Sequence, residues 1–392
     1  MALKRSFIRF PTQVEFGPGK LDEIGQISAA YGKRAYCIID PFFKNSEPVA
    51  KMLESLRSAG LDTVENYNVR PNPRSDDIDP LAKECKETRC ELVISLGGGS
   101  CLDIGKAVAM LCTNGRSAWD YAALENHKYY EIEIPPLPFI AIPTTAGTGS
   151  EGTIYSVVTS PELHRKCSIR SFYLYPTVSL IDPTLMTGIP PLLTALTGID
   201  TFAHAYESYT NKNATLYSMM VSFESMRLFA ESIVTCCTQG DDIEARSNMA
   251  FASLLGGVAI AHCPCTIPHV LGQNLSGWTD APHGGSLAAS LPAVIRWTLP
   301  YGINKLANIA RLFNKKLYEI NDNQAAYALP YEIDKIFETI LPERVTMRTY
   351  GLTDEQAPKL AEFIYENYKG DMGNYVRVPT REDIMLMIEQ SM

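Results

Sequence analysis

The chain has 392 residues, room for two domains at roughly 100–200 residues each. Hydrophobic residues make up 46% and charged residues 20%, the balance of a soluble globular enzyme. The net charge of -9 offers no electrostatic footprint for nucleic acid or an anionic membrane, so neither is expected as a partner.

The opening stretch MALKRSFIRFPTQVEFGPG carries Lys4 and Arg5 with no continuous apolar stretch behind them, unlike a signal peptide. No apolar run approaches the ~20 residues of a transmembrane helix, and a cytoplasmic location is the expectation. Arg34–Asp40 reads as a strand that ends on a carboxylate. Asn72 follows in RPNPRSDD, a turn framed by prolines, and is either plain turn chemistry or a cofactor contact. Leu92–Leu96 is a short apolar run, followed by Gly97-Gly98-Gly99-Ser100 and the helix-periodic DIGKAVAML. Glycines between a strand and a helix let backbone N–H groups approach a phosphate, and the helix N-terminus favours negative charge. The pattern is not GxGxxG. The usual dinucleotide fold sets its acidic ribose-binding residue about 20 residues after the glycines. Here the candidate, Asp40, lies before them. Phe139–Pro143 is a further strand, and the loop Thr144–Ser150 behind it is rich in small and hydroxyl residues. Such a loop is either a plain linker or the lining of a cofactor site. Strands that alternate with helices predict a parallel α/β sheet.

From about residue 188 the texture changes to long, apolar, helix-periodic segments. The expected division is an α/β nucleotide-binding domain over 1–188 and an all-helical domain over 189–392. In GIDTFAHAYESY, Asp200 and His204 stand at i and i+4 and share a helix face. His269 and His283 follow in PHVLGQNLSGWTDAPHGG. Together the four form an N3O set, the donor class that suits Zn2+ or Fe2+; the plainer alternative is four hydrogen-bonded core residues. Cys263-Pro-Cys265 lacks the CxxC spacing of a redox pair, and the ten cysteines are expected as reduced, mostly buried thiols. At the C-terminal end, Thr380 and Asp383 predict a capped helix.

On these motifs the chain resembles the iron-containing (group III) alcohol dehydrogenases. The resemblance is carried by QVEFGPG, PNP, SLGGGSCLDIGKA, IPTTAGTGSE, TGIDTFAHAYESY, PHG at 282–284 and VPTREDI. It implies a dehydroquinate-synthase-like fold, a nucleotide domain joined to a helical metal domain with NAD(P) in the cleft between them, and a homodimer or higher homo-oligomer. Residue by residue, it implies Asp200, His204, His269 and His283 as Fe2+ ligands, with Zn2+ sharing the same set. Gly98, Gly99, Ser100 and Asp103 match phosphate-side contacts. Thr144, Thr145 and Thr148 match a second cofactor loop, Lys166 a lysine near the nicotinamide ribose, and Leu185 a further cofactor contact. Asp40 matches the position whose carboxylate accepts from the adenosine ribose and repels a 2′-phosphate, which favours NAD(H) over NADP(H). The family commonly carries HxxxH. Aligned without gaps, this chain has Gln273 where the second histidine stands, and glutamine hydrogen-bonds but cannot ionise.

The activity implied is metal-dependent transfer of a hydride between a small alcohol or aldehyde and NAD(H). The alternatives are an acid-substrate reductase of the maleylacetate reductase type, a lyase on the same fold, and a non-catalytic metal or nucleotide sensor.

Overall fold

The computed structural model describes residues 6–123, 129–163 and 165–392; Lys4 and Arg5, read above against a signal peptide, lie outside them. The chain forms two compact units, Phe10–Gly188 and Ile189–Met392, the second also holding the segment that ends at Arg9.

In the first unit, strands β1 (Gln13–Phe16), β2 (Arg34–Ile39), β3 (Asp62–Asn66), β4 (Leu92–Gly97), β5 (Phe139–Pro143) and β8 (Val178–Ile181) form one sheet. Its order is β1-β8-β5-β4-β2-β3, and all its pairings are parallel. Strands β4, β5 and β8 are buried at every position, as expected where helices cover both faces and the sequence runs continuously apolar. Alternation along β2 and β4 sends Tyr36, Ile38 and Val93 into one core and Ala35, Cys37, Ile39, Leu92, Ile94 and Leu96 into another. The first core also takes residues of α3 (Ser75–Glu87) and α4 (Gly99–Asn114); the second takes residues of α1 (Ile24–Ser28) and α2 (Glu47–Ser58). Because β2, β4 and β5 are neighbours, the chain leaves their carboxyl ends side by side, where ligands bind in parallel sheets. An antiparallel hairpin, β6 (Tyr155–Ser160) with β7 (Arg165–Arg170), lies outside this sheet; the sequence reading places no strand there.

The second unit is helical among its described residues. Helices α5 (Pro191–Thr210), α6 (Leu216–Thr238) and α7 (Ile243–His262) pack on one another, and α8 (Ile267–Thr279) and α9 (His283–Thr298) form a further pair. Helices α10 (Ile303–Phe313), α11 (Asp322–Ile340), α12 (Ala357–Asn367), α13 (Lys369–Met372) and α14 (Arg381–Ser391) follow. From Gly198 to Thr210 every residue of α5 is buried, so this helix is enclosed on all sides and its polar residues must find partners inside the protein. The Thr380 cap of α14 forms as a reciprocal box with Asp383. No single helix among the described residues is long and apolar enough to cross a membrane.

Candidate metal and nucleotide sites

Helix α5 presents Asp200 and His204 on one face, α8 contributes His269, and His283 is the first residue of α9. The four meet. Asp200 Oδ1 lies 3.5 Å from His204 Nε2, 3.4 Å from His269 Nε2 and 3.6 Å from His283 Nε2. Asp200, His204 and His269 are no more than 4% exposed. The rings of His204 and His269 stack with centroids 4.6 Å apart. Gly284 lets the start of α9 come this close, because a Cβ there would lie 2.2 Å from the Leu196 carbonyl oxygen of α5.

The electrostatics match a cation site. Burial alone would raise the Asp200 carboxyl, but His204, His283 and His269 outweigh it and hold the group well below the usual carboxylate range. Burial also opposes a charge on His269, yet Cys265, Glu207 and Asp200 beside it raise its ring. Asp200 Oδ1 and His269 Nε2 are buried atoms with no hydrogen-bond partner. Buried polar atoms are rarely left so, and two of them facing each other across a ring of nitrogen donors fit a divalent ion. The donor set is the one that Zn2+ and Fe2+ take.

Two side chains at this centre were assigned no role in the sequence. Glu207, fully buried on α5, accepts hydrogen bonds from Thr266 N at 2.5 Å and His269 N at 3.4 Å through Oε2, and from His269 Nδ1 through Oε1. It falls at i+7 from Asp200, so the helical stripe was the available signal. The Cys265 thiol lies within 4.8 Å of ligand nitrogens of His204 and His269, and burial pushes it up to about 11. Gln273 is half-buried one turn beyond His269 on α8. His262 is held elsewhere: its Nε2 accepts from Arg9 N at 3.2 Å and its Nδ1 meets the Val258 carbonyl at 2.8 Å.

In the first unit, the candidate nucleotide residues gather at the carboxyl ends of β2, β4 and β5. Asp40 follows β2, and its Oδ1 accepts from Phe42 N at 3.0 Å. Gly98 is the N-cap of α4, with Gly99 and Ser100 in its first turn. A Cβ on Gly97 would stand 2.9 Å from that of Asp40, and one on Gly99 would stand 2.4 Å from Thr148 Cγ2. The glycine turn is therefore closed in by the carboxylate on one side and the hydroxyl loop on the other. Thr144 N donates to the Gly97 carbonyl at 3.0 Å, and Thr145 is the nearest side chain to Gly98. Lys166 on β7 donates from Nζ to Asn72 Oδ1 at 2.9 Å, joining two candidates far apart in sequence. Asn72 itself adopts a positive φ of 57° in its proline-framed turn.

Two of the expected contacts have partners within the protein. The Asp103 carboxylate accepts from Ser150 Oγ at 2.7 Å and Val157 N at 3.1 Å. It anchors the hydroxyl loop and β6, and a carboxylate would repel a phosphate in contact. Leu185 is 7% exposed and packs into the core beneath the sheet.

The sequence matches the model of the iron-containing alcohol dehydrogenases over residues 11–183 and that of the same family's C-terminal domain over 194–392. The chain belongs to the iron-containing alcohol dehydrogenase family. Among its relatives, the 1,3-propanediol dehydrogenase of Klebsiella pneumoniae is 30% identical over 380 residues, 96% of each chain. The NAD-dependent methanol dehydrogenase of Bacillus methanolicus is 28% identical over 97% of this chain and 98% of its own. A crystal structure of 1,3-propanediol oxidoreductase superposes with a TM-score of 0.93 at 29% identity, over 99% of this chain and 100% of its own. Sulfoacetaldehyde reductase from Bifidobacterium kashiwanohense, solved with NAD+, gives 0.88 at 26% identity over 98% of each. As a member of the iron-containing alcohol dehydrogenases, the chain is an oxidoreductase that uses a metal and a nicotinamide nucleotide.

Proposed function

We propose that the chain interconverts a small alcohol and its aldehyde, with NAD(H) preferred over NADP(H) and Fe2+ as the metal, Zn2+ being accepted by the same donors. The observation that carries this reading is the convergence of three histidine Nε2 atoms on the one buried oxygen of Asp200. When bound, the ion supplies Lewis-acid polarisation of the substrate oxygen and the nicotinamide carries the hydride.

The chain's own residues do the rest. Asp200, His204, His269 and His283 fix the ion. Gly98, Gly99 and Ser100 offer the α4 N-terminus to the pyrophosphate. Thr144, Thr145 and Thr148 flank that turn, and Lys166 with Asn72 holds the nicotinamide ribose. Asp40 accepts from the adenosine ribose and repels a 2′-phosphate. Gln273, one turn from a ligand, orients the substrate or a water and takes no proton, because an amide has no ionisation in the working range. The substrate proton therefore leaves through water or the ribose hydroxyls.

The test is NADH consumption against a panel of small aldehydes, before and after chelation. Activity should vanish with chelator and return with Fe2+ or Zn2+, and His269→Ala should lose most of its metal. Full turnover by a preparation shown to be metal-free would sink the reading, and better turnover with NADPH would displace Asp40 from its part.

A further inference from the structure

Resting on the metal-site reading above, we propose that Glu207 is the positioning residue of the metal centre: it sets the tautomer of His269 and ties that ligand to the start of its helix. Glu207 is not among the side chains whose ligand atoms cluster at the centre. Its carboxylate is completely buried on α5, and its partners are all on the chain that leads into α8.

The two oxygens have separate tasks. Thr266, the N-cap of α8, makes no side-chain cap of its own. Glu207 Oε2 caps the helix from outside, accepting from Thr266 N at 2.5 Å and from His269 N, in the third position of the helix, at 3.4 Å. The negative charge also sits where a helix N-terminus favours it. The other oxygen, Oε1, meets His269 Nδ1. With Oε1 as the acceptor, as Oε2 is toward the two backbone N–H groups, Nδ1 carries the proton. The neutral ring then has its lone pair on Nε2, the atom 3.4 Å from Asp200 Oδ1 and without a hydrogen-bond partner. A carboxylate behind a ligand histidine fixes ring orientation and raises ligand basicity, and losing such a partner typically costs 10–100-fold in metal affinity. The same side chain thus holds the helix and the ligand it carries in one frame, and any shift of α8 against α5 is felt at the metal.

A purely capping role would make the same contacts to Thr266 N and His269 N, so the test must separate the two. Glu207→Gln keeps the shape of the side chain. Its amide has one acceptor and one donor group, and in either orientation a donor faces a donor: His269 Nδ1–H or the backbone N–H pair. With the NH2 toward His269, the ring is driven to carry its proton on Nε2, which closes the lone pair to a metal. Wild type and Glu207→Gln should be stripped with chelator, reloaded with Zn2+ and compared by competition against a chromophoric chelator, with melting temperatures of both forms recorded. The expected result is metal binding weakened by roughly 10–100-fold, with a Zn2+-induced rise in melting temperature that shrinks more than the metal-free melting temperature falls. Zn2+ affinity within about twofold of wild type, or a fall in metal-free stability that accounts for the whole change, would leave Glu207 as a helix cap and overturn the proposal.

If Glu207→Gln does not fold, the wild type decides. Histidine 15N spectra of the Zn2+-loaded protein should show His269 protonated at Nδ1 and metallated at Nε2; a proton on Nε2, or metal on Nδ1, overturns the proposal. A wild type that takes up no Zn2+ overturns the metal-site reading and this inference with it. Tight wild-type binding with no loss in the variant removes only the part given to Glu207.

Discussion

In the function proposed above, Asp40 sets which cofactor is used and Gln273 bears on how the proton travels. The Asp40 side chain is close enough to the glycine turn that a Cβ on Gly97 would stand 2.9 Å from its own, and a 2′-phosphate on a ribose held there would meet a carboxylate. Asp40→Gly should move the ratio of kcat/KM values toward NADP(H) by roughly tenfold or more, a change of about 1.4 kcal/mol per factor of ten; an unchanged ratio would remove Asp40 from cofactor choice. Gln273→His should add an inflection between about pH 6 and 8 to the profile of log(kcat/KM), because it places an ionisable ring one turn from His269. Gln273→Ala should lower the profile without changing its shape. If the alanine variant instead loses an inflection that the wild type has, Gln273 is not the silent partner described here. The four residues proposed as ligands stood out in the sequence because ligand chemistry limits the choice to a few residue types. Glu207 was not, although it stands in the quoted motif, because a carboxylate that binds only protein groups carries no mark in sequence to distinguish it from a solvated one. Asp103 is a related case: its place beside the glycine turn is visible in sequence, but its hydrogen bonds to Ser150 and Val157 are not.

At the scale of elements, Lys106 shows how a helix and the loop beside it are joined. It lies on α4, 1% exposed, and its Nζ donates to the Thr153 carbonyl at 3.1 Å, Thr153 Oγ1 at 2.9 Å and the Tyr155 carbonyl at 2.8 Å. Burial pulls the amine down to about 8, against the opposing pull of Asp103 and Glu151. An unfolded lysine titrates near 10.4. Between about pH 8 and 10.4 the unfolded chain therefore binds more protons than the folded one, and stability attributable to this residue rises with pH. Below about 8 the cost of the buried charge is fully present. The stability of wild type minus that of Lys106→Met, measured by denaturant titration across this window, should climb by about 3 kcal/mol. A flat difference would mean that the three acceptors keep the amine charged throughout. Three strands of the sheet were readable because their apolar runs leave little alternative, and Arg34–Ile39, Leu92–Gly97 and Phe139–Pro143 all formed; β1, β3 and β8 were not read. The β6–β7 hairpin went unread because β6 alternates partly exposed residues with buried ones and β7 buries a single position, each over only six residues, a weak signal beside the runs of the main sheet. Strand order was beyond reach, since sequence spacing does not say which neighbour a parallel strand takes.

For the whole molecule, the division of labour follows the division of the chain. Asp200, His204, His269, His283 and Glu207 all belong to Ile189–Met392, and every nucleotide candidate from Asp40 to Leu185 belongs to Phe10–Gly188. Metal and nucleotide should therefore be separable by mutation. Gly99→Val, which forces a Cβ to within 2.4 Å of Thr148, should abolish NADH binding measured by fluorescence while leaving Zn2+ stoichiometry intact. His269→Ala should do the reverse. A variant that loses both ligands at once would show that the two binding reactions are coupled through the fold. The change of texture near residue 188 was visible because a parallel sheet and a helical unit bury apolar residues with different periods. Which alcohol fits was not, because the walls of a substrate pocket are set by packing among many elements and have no local motif.

The stripe of Asp200, His204 and Glu207 along α5 also governs how this gene can change in length. Each residue of an α-helix turns the chain by about 100°. One codon gained or lost between Asp200 and Glu207 would swing the later side chains a quarter of a circle or more away from His269, so ligand and support could not both be kept. The stretch between His269 and His283 is different. It crosses a break between helices, where Asp280 takes a φ of 57°, and a turn can absorb an added residue that a helix cannot. Among divergent homologues, insertions and deletions should therefore be admitted between α8 and α9 and purged from the middle of α5, even where the residues themselves are freely exchanged.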